Sequence, residues 1–389
     1  MKRFILAFLT IFPAGMFAAA PKLSPEAQIS LLTCQPGEEL YSSFGHSAIR
    51  ISDPQTGLDV VFNYGTFDFQ TPNFYLKFMR GQLNYKLDTD PWREFDYAYR
   101  YFKRTFDEQV FNLTLEQKQA VFDYLDKNYQ PENRFYLYDF FFDNCATRIS
   151  DVFIDVLGDS LKFDPGYTDT DKTFRDLIGE YLQGKAWTDF GIDLALGRVI
   201  DRAATPREQA FLPDYLAKYL GAATIVRDGK EQPFVVSDNR LYDSGVVYPP
   251  TPFWLRPGVF FWPLLLLIGF LTWREYKAGK RRKWLDVTIF LIYGLAGVLI
   301  ALLWFATDHT ATANNLNILW LLPTHLLAGF LLIPANKPTW LKYYFLGSAI
   351  LAALVILGWF FLGQAFHPAS LPLVGIVMVR SLWVGLNGV

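Results

Sequence analysis

The stretch YDFFFDNCATRISD, residues 138–151, contains one of the two cysteines of a 389-residue chain. Asp143 or Asn144 can cap the N-terminus of a helix that begins near Cys145, and Gly158 fits its C-terminal end. The apolar residues that follow share one face at helical spacing, namely Ile149, Val152, Phe153, Val156 and Leu157. The stretch therefore predicts an amphipathic helix with a cysteine at its start.

The position of Cys145 allows three interpretations. The positive end of the helix dipole is expected to lower the pKa of the thiol toward thiolate, which suits a nucleophile. In an oxidising compartment Cys145 could instead form a disulfide with Cys34. A free cysteine is also often only a small buried residue. Position alone leaves all three open.

His46 is the candidate base for a cysteine nucleophile. It is the only histidine before the apolar last third of the chain, and histidine is the usual proton acceptor at neutral pH. Catalytic use also needs a third group that orients the imidazole. Asn63, on the next predicted strand, is the preferred candidate, with Tyr64 and Asp68 as competitors. A lone histidine with a structural role is the alternative.

Composition excludes several other functions. The net charge is −2 and the sequence pI is about 6.1, so nothing favours a nucleic-acid partner. One histidine and two cysteines before the apolar third do not make a zinc-binding spacing. The chain contains neither a G-x-S-x-G elbow nor a P-loop. We therefore expect no metal and no cofactor.

The N-terminus has the features of a signal peptide, residues 1–20. Lys2 and Arg3 precede an apolar run at 4–12, and small residues follow at 18–20. Pro21 disfavours cleavage directly after Ala20, so an uncleaved anchor is the alternative. Either way, the chain that follows is expected to be exported.

The last third of the chain predicts a membrane domain, residues 251–389, with about five helices. Four apolar runs approach the length that spans a bilayer, at 259–273, 285–306, 316–334 and 343–362. A fifth run, 371–387, contains Arg380 and is either a tilted or half-inserted helix or a functional segment. The basic loop 274–284 is predicted to be cytoplasmic, which puts loop 307–315 outside with the exported part.

The exported part reads as α+β. Residues 46–52 and 59–67 predict a hairpin across the turn DPQTG, and 114–128 predict a helix capped by Thr114. Residues 172–220 read as helices. We expect a catalytic core at 21–158 and a helical extension with a linker at 159–250.

The order of the candidate residues resembles that of the permuted papain-like enzymes. These include permuted NlpC-type amidases and the lecithin:retinol acyltransferase group. There a strand histidine, a polar group one strand later and an Asn-Cys motif perform acyl transfer. This order matches His46, Asn63 and Asn144-Cys145. Those enzymes often have a histidine where this chain has Asn63, so the third role is the least defined.

A closer resemblance is to the Lnb-type lipoprotein N-acyltransferases. It rests on motifs that extend over nearly the whole chain: LLTCQPGEELYSSFGHSAIRI, FNYGTFDF, FFDNCATRISD, TDFGIDLALG and TDHTATANNLNILW. The resemblance implies an α+β, permuted papain-like (NlpC-type) periplasmic domain followed by an α-helical transmembrane bundle in the bacterial inner membrane. It implies that Cys145 moves an acyl chain from a phospholipid to the α-amine of diacylglyceryl-cysteine lipoproteins.

Several residues are expected to contact these lipid substrates or the phosphate of a headgroup. The expected substrate-binding residues are Asn144, Tyr64, Asp308 and His309. Arg50 and Arg148 are candidates for lipid phosphate or for structural salt bridges. Two other functions stay open: a membrane-tethered cell-wall amidase or peptidase, and a non-enzymatic assembly factor held by a Cys34–Cys145 bridge.

Overall fold

The computed structural model describes residues 21–164, 166 and 171–387. The predicted signal peptide lies outside the described residues. The N-terminal part mixes strands and helices, and the C-terminal part is helical. The fold class is therefore confirmed at the level of a mixed α+β domain followed by a helical region.

An antiparallel sheet of seven strands organises the N-terminal part within the described residues. Its order is β10-β5-β1-β2-β3-β4-β6. These strands are β1 (Gln28–Cys34), β2 (His46–Asp53), β3 (Leu58–Thr66), β4 (Asn84–Pro91), β5 (Phe106–Phe111), β6 (Phe135–Leu137) and β10 (Val235–Tyr242). A smaller antiparallel sheet contains β7 (Leu161–Lys162), β8 (Thr224–Arg227) and β9 (Lys230–Pro233).

The predicted hairpin is confirmed as β2 and β3. Ile49 lies opposite Phe62 in its register. The turn is closed by Asp53, whose carboxylate accepts a hydrogen bond from the Gln55 amide at 3.1 Å. Asx side chains favour such turns because they bond the backbone two residues on. The hairpin sets the relative positions of the residues at the start of β2 and along β3.

The helices follow in chain order, and the second, third, fourth and eighth pack on the large sheet. They are α1 (Phe74–Met79), α2 (Trp92–Tyr101), α3 (Leu115–Tyr129), α4 (Cys145–Leu157), α5 (Phe174–Leu182), α6 (Ala186–Ala195), α7 (Pro206–Gln209), α8 (Pro213–Gly221), α9 (Pro257–Ala278), α10 (Lys283–Phe305), α11 (Thr324–Leu331), α12 (Trp340–Leu357) and α13 (Ser370–Leu386). The predicted helix at 114–128 is α3, and Thr114 caps it through a reciprocal bond with Gln117.

Both faces of the central strands are buried. On one face α4 packs on β2 and β3, where Ile149 and Phe153 join Ile49 in the main core. On the other face Phe95 of α2 packs with Ala48. Because α4 is held against the sheet along its apolar stripe, its first residue has a fixed position relative to the strands.

Three helices among the described residues are long and apolar enough to cross a membrane: α9, α10 and α12. The apolar helix α13 is shorter. The predicted run 316–334 is divided into a 3₁₀ turn at Leu316–Leu319 and the short helix α11. Pro323 stands immediately before α11, and a proline has no backbone N–H to continue a helix from the preceding turn. The count of about five spanning helices stays a prediction.

Arg380 of α13 is buried among carboxylates. Its guanidinium donates to Asp286 of α10 at 2.6 Å and to Glu275 of α9 at 3.0 Å. It also donates to the hydroxyl of Thr272 at 2.7 Å. A charged residue in an apolar helix needs such partners, and these bonds join three helices. These contacts compensate the charge of Arg380, and the choice between a tilted or half-inserted helix and a functional segment stays a prediction.

We expect Arg380→Met to destabilise the protein by about 3–5 kcal/mol, because it leaves the buried Glu275 without its counter-charge and leaves Asp286 paired with Arg281 alone. The free energy of unfolding of the full chain in detergent micelles measures this loss. Arg240→Met is the matched control. Its pair with Asp107 is half exposed, so about 1 kcal/mol or less should be lost there. Equal losses for the two variants would contradict a stabilising role of the buried cluster.

Candidate active site

The start of α4 is fixed by Asn144. Its side-chain oxygen accepts hydrogen bonds from the amides of Ala146 at 2.8 Å and Thr147 at 3.0 Å, and the Thr147 hydroxyl accepts one from the Asn144 amide. Its side-chain nitrogen donates to the carbonyls of Phe140 and Phe211. The predicted N-cap is thus confirmed. The substrate contact predicted for Asn144 stays untested, but its hydrogen bonds position Cys145.

Gly45 determines where His46 enters β2. Gly45 has a φ of 79°, and a Cβ at this position would lie 2.6 Å from the Cys34 carbonyl oxygen. A side chain is therefore excluded both by conformation and by contact. The chain turns at this glycine, and His46 becomes the first residue of β2.

His46 is oriented by Asn63, the preferred candidate for the third role. The imidazole Nε2 lies 3.1 Å from the Asn63 Oδ1, and Nε2–H donates because an amide oxygen can only accept. This tautomer leaves Nδ1 as the proton acceptor. Of the two competitors, Asp68 accepts from the Gln70 amide in an exposed turn. Tyr64 is buried in the main core.

Asp90 completes a chain of hydrogen bonds that the sequence analysis missed. The Asn63 Nδ2 donates to the Asp90 carboxylate at 2.6 Å. This bond fixes which end of the Asn63 amide faces His46. Burial raises the pKa of Asp90, while the bond from Asn63 lowers it. The only signal in the sequence is that Asp90 follows the predicted strand 59–67, and several other acidic residues do so as well.

Cys145 and His46 line the same cavity, which has a volume of about 540 Å³. Most of the remaining lining is aromatic or aliphatic, and Tyr64 and Asn144 contribute to it. Gly65, with a φ of 86°, ends the regular part of β3. A Cβ there would lie 3.6 Å from the Cβ of Cys145. A side chain at this position would occupy the space between Cys145 and Tyr138.

Burial keeps both reactive groups neutral. It raises the pKa of the Cys145 thiol, although the amides of Ser47, Ala146 and Cys145 act in the opposite direction. Burial also lowers the pKa of His46 to about 4, while the bond to Asn63 raises it and Arg104 lowers it. The expectation that the helix dipole gives Cys145 a lowered pKa is therefore wrong. The cost of burying the charged thiolate outweighs the favourable amides.

Cys34 is not bonded to Cys145. Both cysteines are free and buried, so the bridge that the sequence left open is absent here. Cys34 lies opposite His46 in the pairing of β1 with β2. Burial raises the pKa of Cys34 to about 12, so its thiol is unreactive at neutral pH. Cys34 acts as a small core residue beside the site.

The membrane part supplies a wall of the cavity through loop 307–315. His309 is among the lining residues, and its Nε2–H donates to the Phe78 carbonyl at 3.2 Å. The Asp308 carboxylate accepts from the side chain of Gln82 at 2.8 Å. The Thr310 hydroxyl donates to Asp139, in the turn before α4. Asp308 and His309 therefore lie at the boundary between the two parts, and their substrate contacts stay a prediction.

The two arginines that are candidates for binding lipid phosphate form salt bridges within the protein. Arg50 pairs with Asp59 at 2.8 Å and with Glu108 at 3.1 Å. Arg148 pairs with Asp143 and lies over the ring of Tyr136. Both guanidinium groups already have acidic partners. These contacts favour the structural alternative for Arg50 and Arg148 over phosphate binding.

We expect Cys145 to be alkylated slowly by iodoacetamide at neutral pH. Because its pKa is raised, the reactive thiolate appears only as the pH rises past the value of about 8.5 that is usual for a free thiol. Mass spectrometry of the full chain at a series of pH values measures the midpoint. Cys145→Ser is the control, and its remaining Cys34 should react more slowly still. A midpoint below that of a free thiol would contradict the neutral resting pair.

Comparison with protein families follows the division of the chain into two parts. The Lnb N-terminal periplasmic domain matches residues 23–177, and the Lnb transmembrane domain matches residues 250–387. Comparisons with curated proteins and with solved structures gave no match. The N-terminal domain is therefore periplasmic, and the helical domain that follows it is the membrane domain. The chain belongs to the Lnb family, a family of lipoprotein N-acyltransferases.

Proposed function

We propose that the protein transfers an acyl chain from a membrane phospholipid to the α-amine of diacylglyceryl-cysteine lipoproteins, with Cys145 as the nucleophile. The observation that carries this proposal is the shared cavity. In it a buried cysteine at a helix start and a histidine oriented by Asn63 lie among apolar side chains, beside a loop of the membrane domain. No cofactor or metal is needed for this chemistry.

The arrangement of these residues supports a permuted papain-like fold of the NlpC type. His46 begins a strand, Asn63 lies on the next strand, and Cys145 begins a helix that packs on both strands. We place the catalytic core at 21–158, its helical extension and linker at 159–250, and the membrane domain at 251–389. The site would face the outer leaflet of the inner membrane, where donor and acceptor are both anchored.

The first step forms a thioester. His46 Nδ1 accepts the thiol proton as the Cys145 sulfur attacks the ester carbonyl of the phospholipid. The ester C–O bond breaks, and His46 returns the proton to the lysophospholipid oxygen. Because Cys145 and His46 are neutral at rest, proton transfer accompanies the attack. The amides of Ser47 and Ala146, which act on the sulfur, stabilise negative charge as it develops there.

The second step transfers the acyl group to nitrogen. The α-amine of a lipoprotein has a pKa near 8 in unperturbed peptides, so part of it is neutral at working pH. The amine attacks the thioester carbonyl, the C–S bond breaks, and the proton lost by the amine returns through His46 to the sulfur. The products are an amide and the free thiol. Apolar cavity walls disfavour water, which would otherwise hydrolyse the thioester.

Neither alternative function accounts for these features as well. An amidase or peptidase acts on a water-soluble peptide and has no need of a cavity wall from the membrane domain. The alternative of an assembly factor requires a Cys34–Cys145 disulfide, and both cysteines are free.

The decisive test is the acylation state of a reporter lipoprotein in cells that depend on this protein alone. We expect Cys145→Ser to abolish the N-linked acyl chain, because a hydroxyl beside a weak base is a far poorer nucleophile than a thiol. Mass spectrometry of the reporter's N-terminal peptide measures the product.

Cys34→Ala is the control for the cysteine experiment and should retain the triacylated product. Unchanged triacylation in the Cys145→Ser strain, with the variant present in the membrane at the level of the parent protein, would refute the proposed nucleophile.

The roles of His46 and Asn63 should separate kinetically. His46→Ala is expected to lower kcat by about 10²–10⁴-fold, because it removes the general base. Asn63→Ala is expected to lower kcat by about tenfold, the effect of one lost hydrogen bond.

The pH profile of kcat/KM identifies Asn63 as a positioning residue. The parent profile measured for the phospholipid donor, whose reaction with Cys145 does not involve the acceptor amine, should fall on the acid side as His46 is protonated, near pH 4. The bond from Asn63 raises the pKa of His46, so Asn63→Ala should move this acid limb to lower pH. An acid limb that does not move would contradict the assigned role, even if kcat falls.

A further inference from the structure

Helix α1 presents an exposed apolar surface. Phe74 is its buried residue, and it packs against the rings of Phe67 and Phe69. The other apolar side chains are each more than half exposed, namely Tyr75, Leu76, Phe78 and Met79. Leu40 and Tyr41, which also border the cavity, are exposed to a similar degree. Contiguous apolar surface of this kind marks a site of interaction.

The end of α1 is attached to the outer end of a membrane-spanning helix. The Asp308 amide donates to the Arg80 carbonyl at 2.8 Å, and the Gln82 side chain donates to the Asp308 carboxylate. Asp308 follows the end of α10 at Phe305 by three residues, a span of roughly 10 Å at most. The headgroup region is roughly 5–8 Å thick on each side of the bilayer, so the end of α1 lies within this interface or at its outer boundary.

The same segment borders the cavity that contains Cys145. Phe78 and Gly81 are lining residues together with His309. We propose that the exposed face of α1, formed by Tyr75, Leu76, Phe78 and Met79, inserts into the phospholipid surface beside α10 and forms the lipid-side entrance to the cavity. Insertion is independent of the reaction, whereas the role as an entrance rests on the proposed function.

Charge at this site favours phospholipid as the occupant. Lys77 and Arg80 lie within and directly after α1, and no ion pair of either is found among the described residues. Basic side chains beside an apolar face are typical of segments that lie in the interface of a phospholipid bilayer. The outer end of α10 continues this surface, because Phe305 is also largely exposed.

Fluorescence quenching by lipid tests the insertion. The full chain with Cys34→Ala and Cys145→Ser receives a single cysteine, Met79→Cys, which is labelled with an environment-sensitive fluorophore. The labelled protein is reconstituted into vesicles of phosphatidylethanolamine and phosphatidylglycerol that contain a lipid with a nitroxide near the headgroup. We expect a blue-shifted emission and strong quenching by the nitroxide.

Val236→Cys is the matched control. Val236 is 60% exposed and Met79 is 58% exposed, but Val236 lies on β10, at the opposite edge of the sheet from β4 and β6. We expect quenching at position 79 to be several-fold stronger than at position 236. Equal quenching at the two positions would overturn the proposed insertion.

Activity tests the entrance. The double variant Leu76→Ser and Met79→Ser should lower kcat/KM for vesicle phospholipid by about a hundredfold, because the loss of each large apolar contact weakens binding by roughly tenfold. Turnover of a water-soluble short-chain acyl ester should be unchanged, and Val236→Ser should leave both rates unchanged.

The two hypotheses fail in different ways. Equal loss on the two substrates would overturn the entrance, as would no loss on either. If the parent protein turns over neither substrate, the proposed function fails, and the quenching measurement still decides whether α1 inserts into lipid.

Discussion

The hydrogen bonds of Asn144 are the constraint on which the site depends. The Asn144 side-chain oxygen accepts hydrogen bonds from two backbone N–H groups in the first turn of α4. Its side-chain nitrogen donates to two backbone carbonyls, and one of these, Phe211, lies in the distant segment before α8. These bonds determine where the helix begins and therefore where the Cys145 sulfur lies. A thiol one residue earlier or later would face another side of the helix. The position of the sulfur is thus determined by the hydrogen bonds of the neighbouring Asn144 side chain.

Cys145 and His46 are buried, and burial has two opposing effects on the chemistry proposed for them. It disfavours both the thiolate and the imidazolium, so the resting site holds neutral groups. It also excludes water from the bond that would form between sulfur and an acyl carbon. For a transferase the second effect matters more, because hydrolysis is the competing reaction. The same burial lowers the reactivity of the thiol in the resting protein, because it disfavours the thiolate.

Features set by neighbouring residues could be predicted from the sequence. The amphipathic helix, the Asn144 cap and the β2–β3 hairpin are of this kind, and Asn63 was accessible because it lies one strand from His46. Features that depend on contacts between elements far apart in the sequence could not be predicted from it. Asp90, the carboxylates around Arg380 and the Phe78 contact of His309 depend on which elements meet. The pKa of Cys145 was misjudged because the helix dipole is visible in the sequence and burial is not.

The hydrogen bonds from loop 307–315 to the turn at Asp139 and to the segment after α1 have a consequence for biogenesis. All the strands of the sheet precede α10 in the chain, so the sheet is synthesised before the loop that follows α10. Until then the cavity lacks the wall that contains His309. The cavity that contains Cys145 is therefore complete only once the periplasmic domain and loop 307–315 of the membrane domain have assembled.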